Sequence, residues 1–129
     1  MPTAHTLAVL VVDDHASIRG LTRHGLSQIG VSDVVEAANG TEALAALGQK
    51  RFDLVIADWT MDGMDGLDLL ARLRANPIIG RTPFILLTAR NDADSVRTAI
   101  AAGVNNYIVK PFDVPTLRSK IEAVLGPLA

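Results

Sequence analysis

Four short apolar runs, Leu7–Val12, Leu54–Ala57, Phe84–Leu87 and Tyr107–Val109, each stop at a polar residue: Asp13-Asp14, Asp58, Thr88 and Lys110. Each run has the length of a buried strand, and each is followed within a few residues by apolar side chains at helical spacing. Repeated strand–helix alternation calls for a mostly parallel sheet, because parallel strands need a crossover and a helix supplies it. Right-handed crossovers then bring the carboxyl ends of successive strands to one edge, where open α/β sheets bind their ligands. Residues scattered over about a hundred positions are thereby expected in one pocket: three carboxylates, a hydroxyl and an ammonium.

The pattern alternates five times. A first helix over 15–30 puts Ile18, Leu21, Gly25, Leu26 and Ile29 inward and ends at Gly30. A short second strand over 33–37 precedes a helix over 41–50 with Ala43, Leu44 and Leu47 inward. A strand over 53–58 leads to a third helix through Leu67, Leu70 and Leu73 that stops at Asn76-Pro77. A strand over 83–88 is followed by a helix over 92–102 with Ala93, Val96 and Ile100 inward and Gly103 as its C-cap. The fifth strand covers 106–109, and the last helix, 113–125, is capped by Asp113 with Pro115 in its first turn. The expected fold is α/β, a doubly wound parallel five-stranded (βα)5 sheet with helices on both faces. One domain over 1–129 is expected, with its core at about 7–126 and no output domain.

Composition narrows the chemistry. With 49% hydrophobic but only 4% aromatic residues, the core must be aliphatic. The absence of cysteine removes disulfides, thiolate zinc sites and thiol catalysis. His5, His15 and His24 lack paired ligand spacing, so no transition-metal cage is expected. No apolar run approaches bilayer length, and Met1–Thr6 lacks the basic start and apolar stretch of a signal peptide, so a cytoplasmic location without membrane contact is expected. Residues 1–65 carry 4 basic and 9 acidic side chains and residues 66–129 carry 8 and 5, for a net charge of −2. That balance argues against a nucleic-acid polycation.

Within the expected pocket, the Asp58 carboxylate is suited to attack phosphorus and form an acyl phosphate. Asp13 and Asp14 oppose this, since two unit charges ~4 Å apart repel by roughly 4 kcal/mol at an effective dielectric near 20. Mg²⁺ resolves the conflict, because it prefers hard oxygen ligands and phosphate oxygens. Lys110 supplies a point charge for a phosphoryl oxygen and Thr88 a hydroxyl for another. Taken singly, each residue has a plainer role: Asp14 as a helix cap, Asp13 in a turn, Thr88 capping the next helix, Lys110 as a solvated charge. Their joint placement at successive strand ends is what those plainer roles leave unexplained.

The acidic pair Asp13-Asp14, Asp58-Trp59-Thr60-Met61, Met64-Asp65-Gly66, Thr88-Ala89 and Lys110-Pro111-Phe112 occur in order and at characteristic spacing. On these residues the chain resembles response-regulator receiver domains of the CheY-like, flavodoxin-like fold over essentially its whole length. The resemblance implies that Asp58 takes a phosphoryl group from the phosphohistidine of a sensor histidine kinase or histidine phosphotransferase. It implies Mg²⁺ bound by Asp14, Asp58 and the Thr60 carbonyl, with Asp13 acting through water. Thr88 and Lys110 would hold the phosphoryl oxygens, and the Lys110-Pro111 bond is cis in the family. Thr88 and Tyr107 would form the switch, read out on the fourth helix, fifth strand and fifth helix, where Arg90, Arg97, Arg118 and Lys120 lend basic character.

The roles this implies are a stand-alone chemotaxis regulator binding the flagellar motor switch, or a relay intermediate passing phosphate to a histidine phosphotransferase. Such a protein catalyses only its own phosphorylation and dephosphorylation, and a monomer without direct DNA binding is expected. An aspartyl-nucleophile phosphatase is a distant alternative, since Thr60 stands where a second acid is usual. A flavin or nucleotide binder is another, opposed by carboxylates in the Asp13-Asp14-His15 loop where phosphate needs amides. Departures from the family pattern are Asp62, where proline is frequent, and the variable positions Thr60 and Arg90. His15, after the acidic pair, is expected as a partly exposed first-turn residue.

Overall fold

The computed structural model describes residues 3–128; Met1, Pro2 and Ala129, part of the expected 1–129 span, lie outside the described residues. The strands are β1 (Ala8–Val12), β2 (Asp33–Ala37), β3 (Leu54–Asp58), β4 (Phe84–Thr88) and β5 (Asn106–Val109). The helices are α1 (Ala16–Ile29), α2 (Gly40–Gln49), α3 (Gly66–Ala75), α4 (Ala93–Ala102) and α5 (Val114–Leu125). All strand pairs are parallel, in the order β2-β1-β3-β4-β5. The order reverses at β1, and the crevice outside the ends of β1 and β3 is the topological switch point.

Side chains alternate across the sheet, so each strand feeds two cores. Leu10, Val12, Val55, Ala57, Phe84 and Leu86 face α2, α3 and α4. Val9, Val11, Leu54, Ile56, Ile85 and Leu87 face α1 and α5. Strands buried on both faces read as unbroken apolar runs, which is why they were legible at once. Packing extends beyond 7–126: Ala4, in a short 3-10 turn, and Leu128 are both buried in the α1–α5 layer. Among the described residues, no helix is long and apolar enough to cross a membrane.

Two helices turn differently from the sequence expectation. On α1 the buried residues are Thr22, Gly25, Leu26 and Ile29, while Leu21 is 64% exposed and Ile18 half-buried. Thr22 takes the inward place because its hydroxyl donates to the Ile18 carbonyl (3.2 Å), so burial leaves nothing unsatisfied. Gly25 lets α5 approach, since a Cβ there would lie 3.0 Å from Leu117 Cδ2. On α4 only Ala99 is buried; Val96 is half-buried, and Ala93 and Ile100 face solvent, Ile100 at 59%. Gly30 (φ 105°) and Gly103 (φ 101°) end their helices in the left-handed conformation, as expected.

The other helix starts are capped by side chains. Asn39 accepts from the Glu42 amide, Asp65 and Asp68 form a reciprocal capping box, and Asp113 accepts from the Thr116 amide. Asp92 caps α4, and hydrogen bonds from the Ser95 amide and hydroxyl hold its carboxyl below the ordinary range. A depressed folded value means this cap supports α4 fully above the unfolded carboxylate range and is lost as pH falls through the folded value. Hydrogen exchange is therefore expected to show α4 fraying as pH drops below about 4. Asp92→Asn, which keeps the acceptor without the titration, should keep α4 protected over the same range.

Candidate phosphoryl and metal site

The carboxyl edge gathers the residues that end the strands. Asp13 follows β1, Asp58 closes β3 at 6% exposure, Thr88 closes β4 and Lys110 follows β5. The Lys110 ammonium lies 2.9 Å from Asp58 Oδ1 and 3.7 Å from Asp13 Oδ2. The Lys110-Pro111 peptide bond is cis. Asp13 Oδ1 accepts from the His15 amide (2.9 Å), and the Arg19 guanidinium donates to the Asp13 carbonyl (2.6 Å). Oxygen and nitrogen ligand atoms of Asp13, Asp14, His15 and Asp58 all fall within 4.8 Å of one another.

Two buried carboxylate oxygens here, Asp13 Oδ2 and Asp14 Oδ1, accept no hydrogen bond. His15 Nδ1 is 2.9 Å from Asp14 Oδ1, but not in hydrogen-bonding alignment. Orphaned buried oxygens are costly unless something positive meets them. Several hard oxygens converging with free lone pairs fit a small divalent cation of the Mg²⁺ kind. The Thr60 carbonyl, on the loop after β3, accepts no backbone hydrogen bond among the described residues.

Burial pushes the Asp58 carboxyl above its ordinary value; the Lys110 ammonium pulls it back in part, and the charges of Asp13 and Asp14 push it further up. Removal of the Asp58 carboxylate from water is thus the largest influence on its ionisation, ahead of the charges around it. Thr88 Oγ1 accepts from the Arg90 amide (2.8 Å), which leaves its own hydroxyl proton to give. The plainer single-residue roles fail for Asp14, Thr88 and Lys110: the N-caps of α1 and α4 are His15 and Asp92, and Lys110 is engaged with Asp58. Asp13 does hold the turn, through His15.

Tyr107 is half-buried and pairs with Leu86 across the β4–β5 ladder, two residues before the Thr88–Val109 pair. A two-residue offset keeps Tyr107 and Thr88 on the same face, against α4. The Tyr107 ring has the Lys120 ammonium 4.7 Å from its centroid. Arg97 pairs with Asp94 and Arg118 with Glu122, so much of the expected basic character on this face is internally matched.

Three contacts were not anticipated. The Arg90 guanidinium lies 4.3 Å from the ring centre of buried Trp59. The Asp62 amide donates to Asp14 Oδ2 (3.1 Å), a bond that the proline frequent at this position would forbid. The departure therefore adds a donor that orients an acidic side chain. Gly66 starts α3 so close to β3 that its amide donates to the Trp59 carbonyl (2.9 Å).

An acidic cluster at the switch point of a β2-β1-β3-β4-β5 sheet places the chain among flavodoxin-like α/β domains that present carboxylates, rather than phosphate-binding amides, to their ligand. Its pattern matches the response regulator receiver domain over residues 9–122, and the chain belongs to that family. Chemotaxis protein CheY1 of Helicobacter pylori is 42% identical over 121 residues, covering 93% of this chain and 98% of that protein. Chemotaxis protein CheY of Pseudomonas aeruginosa is 38% identical, covering 92% and 95%. Among solved structures, Vibrio cholerae chemotaxis protein CheY4 superposes with a TM-score of 0.85 at 35% identity, covering 92% of this chain and 99% of that one.

Proposed function

We propose that the protein is a phosphorylation switch of two-component signalling in which Asp58 is the phosphoacceptor. The observation that carries this reading is a buried strand-end carboxylate held by Lys110 at 2.9 Å beside two orphaned acidic oxygens. In the transfer, an Asp58 oxygen bonds to phosphorus, the phosphorus–nitrogen bond to the donor imidazole breaks, and the departing imidazole nitrogen takes up a proton. Lys110 draws on the developing charge of one phosphoryl oxygen, and the free Thr88 hydroxyl donates to another. Bound Mg²⁺, held by Asp14, Asp58 and the Thr60 carbonyl and through water by Asp13, would screen the carboxylates and polarise the transferring group. The phosphodonor is a sensor histidine kinase or a histidine phosphotransferase.

Drawing Thr88 toward a phosphoryl oxygen vacates space on the α4 side, and Tyr107 on the same face is placed to enter it. The result is a population shift between two packings. The readout surface is α4-β5-α5, where Ile100 offers an exposed apolar anchor. Likeness to chemotaxis proteins over nearly the whole chain supports the flagellar motor switch as target. Phosphorylation should raise affinity for a motor-switch peptide; faster transfer to a histidine phosphotransferase without that gain would make the protein a relay intermediate. The protein acts on its own acyl phosphate rather than on a turnover substrate, and sustained phosphate-ester hydrolysis would overturn that.

Trp59 gives a direct test. It adjoins Asp58, is 5% exposed and has the Arg90 guanidinium over its ring, so its fluorescence is expected to change when Mg²⁺ enters and again on addition of acetyl phosphate. Silence at both steps would sink the phosphoacceptor reading.

A further inference from the structure

The edge opposite the aspartate pocket carries a second surface. A depression of about 810 Å³ lies at the amino ends of β1, β3 and β4, and one of about 410 Å³ lies between α2 and α3. Both are open to solvent and they share Leu47, Gly48, Ile78 and Ile79, so they form one groove. Its floor is apolar, and Ile78 stands 91% exposed at the junction. Its rim is cationic: Lys50, Arg51 and Arg81 line the larger part and Arg72 the smaller.

Almost nothing in the fold balances that charge. Among the described residues, Asp53 is the only carboxylate of the groove, and its Oδ2 already accepts from the Ala8 amide at 2.9 Å. Lys50 pairs with Asp33 outside the groove. Arg51, Arg72 and Arg81 are exposed and make no ion pair among the described residues, unlike Arg19, Arg23, Arg97 and Arg118. Three unmatched guanidiniums around an apolar floor present a positive field with hydrophobic anchorage.

We propose that this groove docks an acidic, amphipathic polypeptide segment of a partner protein. Apolar side chains of the segment seat on Ile78 and Ile79, and its carboxylates meet Arg51, Arg72 and Arg81 with the bidentate geometry guanidinium favours. A polypeptide fits better than a small ligand because the cations come from three places: the α2–β3 connection, α3 and the α3–β4 loop. Charges so distributed match a row of carboxylates rather than one head group. The groove lies away from Asp58, so the assignment stands independently of the phosphoacceptor reading.

The probe is a fluorescein-labelled 14-residue peptide of glutamates with leucines at i, i+3 and i+7, with a lysine-for-glutamate version as control. Fluorescence anisotropy with the full chain should show saturable binding of the acidic peptide only, weakening several-fold when salt rises from about 0.05 to 0.5 M. Arg51→Glu and Arg81→Glu should each weaken it several-fold and together by about tenfold or more, Ile78→Ser by about threefold, and Arg23→Glu, the same charge change as either single variant but on α1, should leave it unchanged. Amide shifts in ¹⁵N spectra should cluster at 47–53 and 78–82. Shifts confined to α4-β5-α5, equal binding of both peptides, or no binding would overturn the proposal. Saturable binding of dodecanoate in the groove, or dimerisation lost in Ile78→Ser, would assign it to a lipid anion or to a second copy of the chain and overturn it equally.

Discussion

Asp58→Asn is expected to abolish phosphate incorporation from acetyl phosphate, by about 100-fold or more, while making the metal-free protein more stable. The loss follows because an amide oxygen is no nucleophile toward phosphorus under these conditions. The gain follows from the sign of the electrostatics. Burial, with Asp13 and Asp14 adding to it, raises the folded carboxyl above its ordinary value, so ionising Asp58 costs more in the folded chain than in the unfolded one. For an acid with a raised folded value, that cost is absent below the unfolded value and fully present once pH exceeds the folded value. Asparagine keeps the shape and removes the charge. Its melting temperature without metal should therefore exceed wild type at neutral pH, and the difference should close as pH falls toward the ordinary carboxylate range. Mg²⁺ should narrow the gap from the other side by raising the wild type more than the variant. A variant no more stable than wild type at pH 7 would mean that the Lys110 pair outweighs burial and the acidic neighbours.

Gly66→Ala is expected to be the most damaging small substitution near the site. A Cβ at Gly66 would lie 2.5 Å from the Asp58 carbonyl, 2.8 Å from Leu86 Cδ1 and 3.0 Å from Trp59 Cα. Two of these three neighbours are backbone, which has no rotamer to yield. Overpacking of this kind costs about 1–3 kcal/mol, against a helix-propensity gain of up to ~1 kcal/mol for alanine over glycine. The net loss should appear in urea unfolding. Relief requires α3 to back away from β3, which moves the loop carrying Thr60 and Asp62, so the Mg²⁺ response of Trp59 should weaken as well. Gly40→Ala is the contrast, because the three atoms nearest its Cβ all belong to the Met64 side chain, which can change rotamer, and its cost should be under that of Gly66→Ala. Equal costs at the two positions would remove the special role assigned to Gly66.

Four of the five strands were legible because each contains a short apolar run between breakers, and their ends place Asp13, Asp58, Thr88 and Lys110 at one edge. Helix faces were less so. Leu21 and Ile100 fit an inward spacing on paper, yet both face solvent, because a helix settles its rotation on the whole stripe. Thr22 on α1 and Ala99 on α4 match the close-packed layers better, and polarity alone did not reveal that a hydroxyl could be satisfied inside its own helix. Trp59 stood out beside Asp58, but its partner Arg90 lies 31 positions further on in another loop, a pairing no local pattern contains.

What the sequence by itself determined is the alternation, the parallel sheet and the set of polar residues that close the strands, since these follow from periodicity and chain connectivity. Only the tertiary structure decided which oxygens of Asp13 and Asp14 are left without partners, that the Asp62 amide orients Asp14, and that Gly66 must be bare. It alone brought Arg51, Arg72 and Arg81 around one apolar groove. Strand ends are fixed by topology to within a residue, whereas hydrogen-bond satisfaction and charge balance depend on distances of a few tenths of an ångström between segments far apart in the chain.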